Sequence, residues 1–146
     1  FLLDLHGEDP ALHPLSDALC NALQVINHLQ DCGKDHAALD RVYLPQDWMA
    51  AEGASVNDLA LPSLTRPMRR VIDRALAGTE LLMHDARKLP KALKHRSLAA
   101  ETAVIVAVAD KLKARLARQD PIAGRVVLGP FGFGGAALSG LIKLWL

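Results

Sequence analysis

Cysteine is scarce in this sequence, and neither sign of charge is in clear excess. Only Cys20 and Cys32 occur. On one predicted helix their separation is about 18 Å, which is too far for a disulfide bond. The sequence therefore argues against a small secreted fold held by disulfides and favours a reducing compartment. Seventeen Lys and Arg residues stand against sixteen Asp and Glu residues, so the basic excess typical of a nucleic-acid-binding protein is missing.

Strand patterns and long apolar runs are also missing. Aromatic residues make up 4% of the chain, and no segment alternates apolar and polar residues as a half-buried strand does. The longest apolar stretches, Ala103–Ala109 and Gly132–Leu146, are too short to cross a bilayer, and the second contains Lys143. With 51% hydrophobic residues in 146, the chain has enough apolar side chains for a packed core. We therefore expect an all-α fold that forms one domain or part of one.

The expected helices follow from caps and breakers in the sequence. Ser16 is a candidate N-cap for a helix that extends to about His36 or Leu39. Ser97 is a candidate cap for a long helix that ends before Pro121. The remaining expectations are a short helix from Pro45 to Ala51, a long helix from about Pro67 to His84, a basic connector over residues 87–96 interrupted by Pro90, a flexible Gly-rich joint from Gly129 to Gly135, and an apolar tail over residues 131–146.

Four polar side chains share one face of the first long predicted helix. At about 100° per residue, Gln24, Asn27, Asp31 and Asp35 fall within about 80° of arc. Leucine, isoleucine and alanine side chains occupy the opposite arc. One side of this helix is therefore suited to a core, and the other presents two amides followed by two carboxylates.

The two carboxylates indicate a cation site. Asp31 and Asp35 are one helical turn apart, so their like charges repel unless a cation lies between them. Mg²⁺ prefers oxygen ligands and commonly joins one or two carboxylates to the phosphate oxygens of a substrate. Gln24 and Asn27 are placed to add neutral hydrogen bonds to the same ligand. The alternative is a solvated helix face, since two aspartates at this spacing are common in helices.

A second metal hypothesis uses His28, Cys32 and His36, which also lie one turn apart from each other. Imidazole and thiolate are zinc ligands. Three side chains spread over about 12 Å of helix cannot all reach one ion. At most one neighbouring pair is able to bind zinc, with further ligands from elsewhere in the chain.

The segment from Ala22 to Asp47 resembles the second aspartate-rich region of squalene/phytoene synthases. The family pattern is roughly Q-x-x-N-x-x-x-D-x-x-x-D, followed by R-x-Y-x-P. In this sequence Gln24, Asn27, Asp31 and Asp35 are followed by Arg41, Tyr43 and Pro45. Gln30 stands where many members have arginine, a pattern similar to that of the bacterial hopanoid-associated squalene synthases, or hydroxysqualene synthases.

This resemblance implies a fold and a set of residue roles. It implies the C-terminal half of an isoprenoid-synthase-type helical bundle in which Asp31 and Asp35 bind Mg²⁺ beside a prenyl diphosphate. Gln24, Asn27 and Arg125 are then candidates for binding that substrate, and Tyr43 and Arg41 are candidate catalytic residues. Tyr43 is alternatively a packed aromatic beside Pro45, and Arg41 alternatively pairs with Asp40 or Asp47.

The resemblance also implies that the site is shared with another part of the protein. The family uses two aspartate-rich motifs that face each other, and no second D-x-x-x-D motif occurs in this sequence. We therefore expect residues 1–146 to be the C-terminal part of a single synthase domain, with the first motif upstream. The full-length protein would be an enzyme acting on farnesyl or presqualene diphosphate, whereas the 146 residues alone would be inactive. The alternative is a non-catalytic helical interaction domain or an inactive fragment of that family.

Expectations about partners are less specific. NADPH is compatible with the family but is not implied by the sequence, and the oligomeric state is left open. We expect a cytoplasmic protein that binds no nucleic acid. Contact with the inner face of the membrane, through the basic connector or the apolar tail, is a further hypothesis.

Overall fold

The computed structural model describes residues 1–145, and Leu146, the end of the predicted apolar tail, lies outside them. The expected all-α fold is confirmed, and no strand occurs in the described part of the chain. Two short 3-10 helices accompany the α-helices, at Pro10–Leu12 and Val56–Ala60. The α-helices are α1 (Leu2–Leu5), α2 (His13–Leu39), α3 (Gln46–Glu52), α4 (Arg66–Ala86), α5 (Leu89–Ala92), α6 (Arg96–Leu116) and α7 (Pro130–Trp145).

Helix α2 begins earlier than its sequence pattern predicts. The 3-10 helix at Pro10–Leu12 directly precedes it. The side chain of Asp9 caps this 3-10 helix by accepting a 2.9 Å hydrogen bond from the backbone N–H of Ala11. The α-helix continues directly from this turn at His13, so the prediction that Ser16 is the N-cap is wrong. The helix ends at Leu39, the later of the two predicted ends, His36 and Leu39.

Helix α6 begins at Arg96, so Ser97 is not its cap. The hydroxyl of Ser97 instead contacts Nδ1 of His95 at 3.0 Å. The buried carboxylate of Glu8 accepts hydrogen bonds from the backbone N–H groups of Lys94 and His95, at 3.0 and 2.7 Å. These bonds hold the pKa of Glu8 below its ordinary value. A carboxylate distant in sequence therefore fixes the turn that precedes α6.

Two segments that the sequence predicts to be irregular, one at Pro90 and one at Gly129–Gly135, are largely helical in the structure. Pro90 lies in the first turn of α5, where its missing N–H costs no helical hydrogen bond. The segment from Pro130 to Gly135 belongs to α7, so the prediction of a flexible joint there is wrong. No helix within residues 1–145 combines the length and the apolar character needed to cross a bilayer.

The chain divides into two compact units. The first contains Phe1–Leu23, Glu80–Lys111 and residues 128–145, and the second contains Gln24–Thr79 and Leu112–Val127. In the first unit the small residue Gly140 of α7 faces Ala103 of α6. A Cβ atom at Gly140 would lie 2.8 Å from the carbonyl carbon of Ala103 and 3.1 Å from Cα of Val104. Helices α6 and α7 therefore touch through backbone atoms.

The second unit holds every residue predicted for the functional site. Its core includes a group of fully buried side chains from α2, α3, α4 and the end of α6, which are Ile26, Leu29, Met49, Met68, Ile72 and Leu116. Helix α2 carries Gln24, Asn27, Asp31 and Asp35. Arg41 and Tyr43 lie in the segment after α2, and Arg125 lies in the segment after α6.

We expect Gly140→Ala to destabilise the fold by about 1–3 kcal/mol, because the new methyl group meets backbone atoms of α6 that cannot rotate away. Gly78→Ala is the matched control, since a Cβ there has no neighbour within 4 Å and α4 gains helix propensity. Urea titration of both variants measures the difference. Equal stability of the two variants would contradict the close approach of α6 and α7.

Candidate functional site

The loop over residues 120–127 crosses α2 at a glycine. A Cβ atom at Gly33 would lie 3.1 Å from Cα of Ile122 and 3.6 Å from the carbonyl oxygen of Pro121. These are backbone atoms, so a larger residue at this position would push the loop away from α2. Gly33 thus lets the loop pass within van der Waals contact of the helix that carries the two aspartates.

Asp120 fixes the shape of this loop. Its carboxylate accepts hydrogen bonds from the backbone N–H groups of Ile122 and Ala123, at 2.8 and 2.9 Å, and from that of Leu64 at 2.7 Å. Burial alone raises the pKa of Asp120, but the three backbone donors outweigh it and hold the pKa below its ordinary value. The carboxylate therefore stays charged and ties the loop to the segment before α4.

Gln30 holds the other end of the loop. Its side chain is buried, and its amide N–H donates to the carbonyl oxygen of Val126. Gln30 immediately precedes Asp31, and Val126 immediately follows Arg125. This hydrogen bond therefore brings Asp31 and Arg125 alongside each other.

Arg125 and Asp31 form a two-point ion pair. Nε of Arg125 lies 2.7 Å from Oδ1 of Asp31, and a second guanidinium nitrogen donates to Oδ2 at 3.2 Å. The Asp31 side chain is 11% exposed and that of Arg125 is 49% exposed. The carboxylate is therefore mostly buried, whereas the guanidinium keeps an open side on which further N–H donors are free to bind an anion.

Tyr43 reaches the second aspartate. Its hydroxyl donates a 2.8 Å hydrogen bond to Oδ2 of Asp35. Its ring stacks on the imidazole of His28, with centroids 4.1 Å apart and planes inclined by 2°. Tyr43 is thus fixed from one side by His28, and it in turn orients the Asp35 carboxylate.

The remaining predicted site residues are less constrained. Gln24 and Asn27 lie on α2 with exposed side chains. Arg41 is exposed just after α2, and its backbone N–H donates to the carbonyl oxygen of Asp35 at 3.3 Å. No ion pair of Arg41 with Asp40 or Asp47 is found among the described residues. The structure therefore pairs Asp31 with Arg125 and Asp35 with Tyr43. It leaves Gln24, Asn27 and Arg41 open to solvent.

The donor set around α2 fits a hard cation in part. Oδ1 of Asp31 is buried. Nε of Arg125 lies beside it as an ion-pair partner, but no N–H or O–H group of the described residues points at this oxygen well enough to form a hydrogen bond. A carboxylate oxygen with unused lone pairs is the type of ligand that Mg²⁺ prefers. Within residues 1–145 no cluster of three or more Asp, Glu, His or Cys side chains is able to hold a metal. This chain therefore supplies two carboxylates, and further oxygen ligands would come from substrate, water or other residues.

The structure does not support the zinc hypothesis. Cys32 is buried, and its thiol contacts the carbonyl oxygen of Leu29 at 3.3 Å. Burial raises the pKa of the Cys32 thiol to about 11, which opposes formation of the thiolate that zinc requires. His28 is engaged with Tyr43. These residues pack against their neighbours and form no metal cluster in the described part of the chain.

Sequence reasoning missed the residues that support the site. Gln30 was noted only as the residue that replaces an arginine, and Gly33 and Asp120 were not singled out. A helical glycine two residues after a candidate ligand, and an Asp-Pro dipeptide that opens a loop, are features of the sequence that suggest close backbone contact and a turn. Neither feature identifies which two segments meet.

The chain is similar to a group of known proteins. Residues 1–131 match the Squalene/phytoene synthase family. Hydroxysqualene synthase of Rhodopseudomonas palustris is 43% identical over 133 residues, which are 91% of this chain and 46% of that protein. Hydroxysqualene synthase of Zymomonas mobilis is 43% identical over 126 residues, which are 86% of this chain and 42% of that protein.

A solved structure has the same fold. Squalene synthase HpnC from Alicyclobacillus acidocaldarius superposes with a TM-score of 0.73 at 31% sequence identity, covering 81% of this chain and 44% of that one. The chain therefore spans less than half the length of the relatives to which it is similar.

We expect the two cysteines to react with iodoacetamide at very different rates. Cys20 is exposed, whereas Cys32 is buried with a pKa raised to about 11, so that only about one Cys32 side chain in a thousand is a thiolate at pH 8. Peptide mass spectrometry should find the label on Cys20 in the native protein and on both residues in urea. Rapid native labelling of Cys32, or zinc in the purified protein, would revive the zinc hypothesis.

We expect Gly33→Ala to cost about 1–3 kcal/mol of stability, because its methyl group meets the backbone of Ile122. Gly124→Ala, in the same loop, is the matched control, since its Cβ has no neighbour within 4 Å. Thermal unfolding followed by circular dichroism compares the two variants. If both unfold at the temperature of the unmodified chain, the loop does not depend on its contact with α2.

Proposed function

The chain belongs to the squalene/phytoene synthase family, and from this premise we propose that the whole protein acts in isoprenoid biosynthesis. In this proposal it ionises a prenyl diphosphate in the presence of Mg²⁺ and forms squalene or hydroxysqualene by head-to-head chemistry. The proposed substrate is farnesyl or presqualene diphosphate. The similarity to hydroxysqualene synthases and to a squalene synthase supports this choice.

One observation carries the proposal. Asp31 and Asp35 lie one turn apart on α2, and each carboxylate has its own side-chain partner. Asp31 pairs with Arg125, and Asp35 accepts a hydrogen bond from Tyr43, which is part of the family pattern. An arrangement of two acidic groups, one guanidinium and one phenol suits a ligand that combines a divalent cation with a multiply charged anion. A solvated helix face would not need partners from two separate loops.

Each of these residues has a proposed task. Asp31 and Asp35 would hold Mg²⁺, which when bound supplies positive charge to the departing diphosphate. Arg125 would donate its free N–H groups to diphosphate oxygens while it remains beside Asp31. Tyr43 is better described as a positioning residue than as a catalytic one, because its hydroxyl is already engaged with Asp35. Gln24 and Asn27 remain candidates for neutral hydrogen bonds to the substrate, and Arg41 for a further contact with the diphosphate.

The proposed reaction balances without a reductant. The bond between the substrate carbon and the diphosphate oxygen breaks, and both electrons leave with the diphosphate. Where the substrate is farnesyl diphosphate, two molecules first join to give presqualene diphosphate, with loss of one diphosphate and one proton. From presqualene diphosphate, water adds to the rearranged cation as its three-membered ring opens, and the adduct loses a proton to give hydroxysqualene. The donors around Asp31 and Asp35 stabilise the leaving group, because its negative charge grows as that bond breaks. A hydride from NADPH in place of water would give squalene, and the sequence does not require it.

A non-catalytic role is the second candidate. The observation that favours it is the ion pair between Arg125 and Asp31, which already balances one of the two carboxylates without a metal. A relative that had lost its chemistry could retain such a pair for stability alone. Mg²⁺ binding distinguishes the two candidates, since only the enzyme needs Asp31 to exchange part of its contact with Arg125 for a cation.

In a family-length protein we expect Asp31→Asn and Asp35→Asn each to lower kcat/KM for presqualene diphosphate by about two orders of magnitude or more, because an amide binds Mg²⁺ far more weakly than a carboxylate. The same variants should weaken Mg²⁺ binding in isothermal titration in the presence of inorganic diphosphate. Product analysis with and without NADPH then identifies whether water or hydride ends the reaction.

Asp47→Asn is the control for these variants, because Asp47 is an exposed aspartate in the first turn of α3. It should leave both turnover and Mg²⁺ binding unchanged. Near-normal turnover in both Asp31→Asn and Asp35→Asn would exclude their metal role. We expect the 146-residue chain alone to show no turnover, since it contributes only one pair of carboxylates.

A further inference from the structure

Tyr43 contacts the helix that carries the two aspartates because the chain reverses direction after α2. Asp40 follows the helix with a left-handed backbone, at a φ of 52°, and aspartate is one of the few residues besides glycine that adopt this conformation readily. The backbone N–H of Asp40 donates to the carbonyl oxygen of His36 at 3.1 Å. The segment after this turn lies back along α2, where the side chain of Tyr43 meets the helix.

Two side chains of α2 hold Tyr43, one at each end. The phenol ring stacks on the imidazole of His28, and the hydroxyl donates to Oδ2 of Asp35 at 2.8 Å. His28 and Asp35 are seven residues apart in the sequence, so they lie two turns apart on the same face of α2. One tyrosine that lies along the helix therefore reaches both.

The stacking contact fixes what the hydrogen bond leaves free. A phenol hydroxyl can keep its hydrogen bond while the ring turns about it, whereas two parallel rings with centroids 4.1 Å apart also fix the plane of the phenol. Tyr43 is only half-buried, so core side chains do not enclose its ring on every side. The imidazole of His28 therefore sets the plane of Tyr43 and, through the hydroxyl, the direction from which Asp35 is held.

We propose that His28 is a positioning residue of the cation site, which stacks on Tyr43 and so holds the Asp35 carboxylate in the orientation that binds Mg²⁺. The inference rests on the proposed function, because it concerns the same site. His28 contacts neither the cation nor the diphosphate. Without the stack, the phenol and the carboxylate rotate more freely, and a cation that binds must order both of them.

Titration of a family-length protein with Mg²⁺ in the presence of inorganic diphosphate tests the inference. We expect His28→Ala to weaken Mg²⁺ binding by about two- to tenfold, the range that corresponds to the loss of one stacked aromatic pair. Alanine is a strong helix former, so α2 itself should remain intact. His28→Phe keeps a flat ring beside Tyr43 and should restore most of the affinity.

His84→Ala is the matched control for these variants. His84 is an exposed histidine of α4, and its ring stacks on no aromatic side chain in the described part of the chain. This variant should bind Mg²⁺ and diphosphate as the unmodified protein does.

A double-mutant cycle distinguishes positioning from packing. Tyr43→Phe removes the hydroxyl that reaches Asp35 but keeps a ring on which His28 can stack. If His28 acts on the cation site through that hydroxyl, His28→Ala should weaken Mg²⁺ binding in the unmodified background and have little further effect in the Tyr43→Phe background. Additive effects would show that His28 acts by another route and would overturn the inference.

A spectroscopic measurement follows the stack directly. In protein labelled with ring-¹³C tyrosine, the signal of Tyr43 is identified by its loss in Tyr43→Phe. The ring current of the imidazole should shift this signal upfield, and His28→Ala should abolish that shift. Added Mg²⁺ and inorganic diphosphate should also move the Cζ signal of Tyr43, since its hydroxyl is bonded to Asp35. An identical Tyr43 signal with and without the His28 imidazole would contradict the stacking contact.

The outcomes separate this inference from the proposed function. If Asp31→Asn and Asp35→Asn leave Mg²⁺ binding unchanged, the proposed function fails, and His28 has no cation site to position. If those variants weaken Mg²⁺ binding while His28→Ala does not, only the inference about His28 is overturned. A His28→Ala variant that loses thermal stability but keeps its Mg²⁺ affinity, or a His28→Phe variant that binds no better than His28→Ala, would likewise leave His28 as a packing residue.

Discussion

The close approach of residues 120–127 to α2 at Gly33 is the constraint on which the candidate site depends. Without a side chain at Gly33, the backbone of Ile122 rests on the helix. The hydrogen bond from Gln30 to Val126 and the carboxylate of Asp120 then fix the loop at both ends. Arg125 lies between these attachment points, so its reach to Asp31 follows from the backbone path.

Because Asp31 is mostly buried, its charge needs the ion pair with Arg125. A mostly buried carboxylate is costly unless a positive charge or several donors accompany it. In the described chain Arg125 supplies that charge. A divalent cation would perform the same task with greater charge, which would release guanidinium donors toward a bound diphosphate. Metal and substrate binding are therefore coupled through one arginine in the proposed mechanism, since each changes what Arg125 is free to contact.

The sequence predicted the helical fold and the chemistry of α2 better than it predicted where segments meet. Helical periodicity identified the long helices, and α2 ends at Leu39, the later of its two predicted ends. The start of α2 was misplaced because Asp9 caps a 3-10 turn from which the α-helix continues directly, whereas Ser16 has only the residue type of a cap. Likewise, glycines near Gly135 suggested a flexible joint, but packing against α6 overrides their low helix propensity.

The site itself was predictable only as a set of residue types. The spacing of Asp31 and Asp35 is local information, so the sequence contains it. The ion pair with Arg125 joins residues 94 positions apart, and the burial of Asp31 depends on the loop that crosses above Gly33. Gln24 and Asn27 share the arc with Asp31 by periodicity, yet they remain exposed while Asp31 is buried. Helical angle alone therefore does not define a binding surface.

Glycine serves the two units by the same physical means. At Gly33 it admits the backbone of a loop, and at Gly140 it admits the backbone of a helix. In α7 this contact has a second consequence, because a helix that docks through Gly140 and Ala136 does not use its large side chains for that packing. Phe131, Phe133, Leu138 and Ile142 remain exposed in the described chain. The exposure of these large side chains and the burial of Ala136 and Gly140 therefore follow from one choice of packing residues.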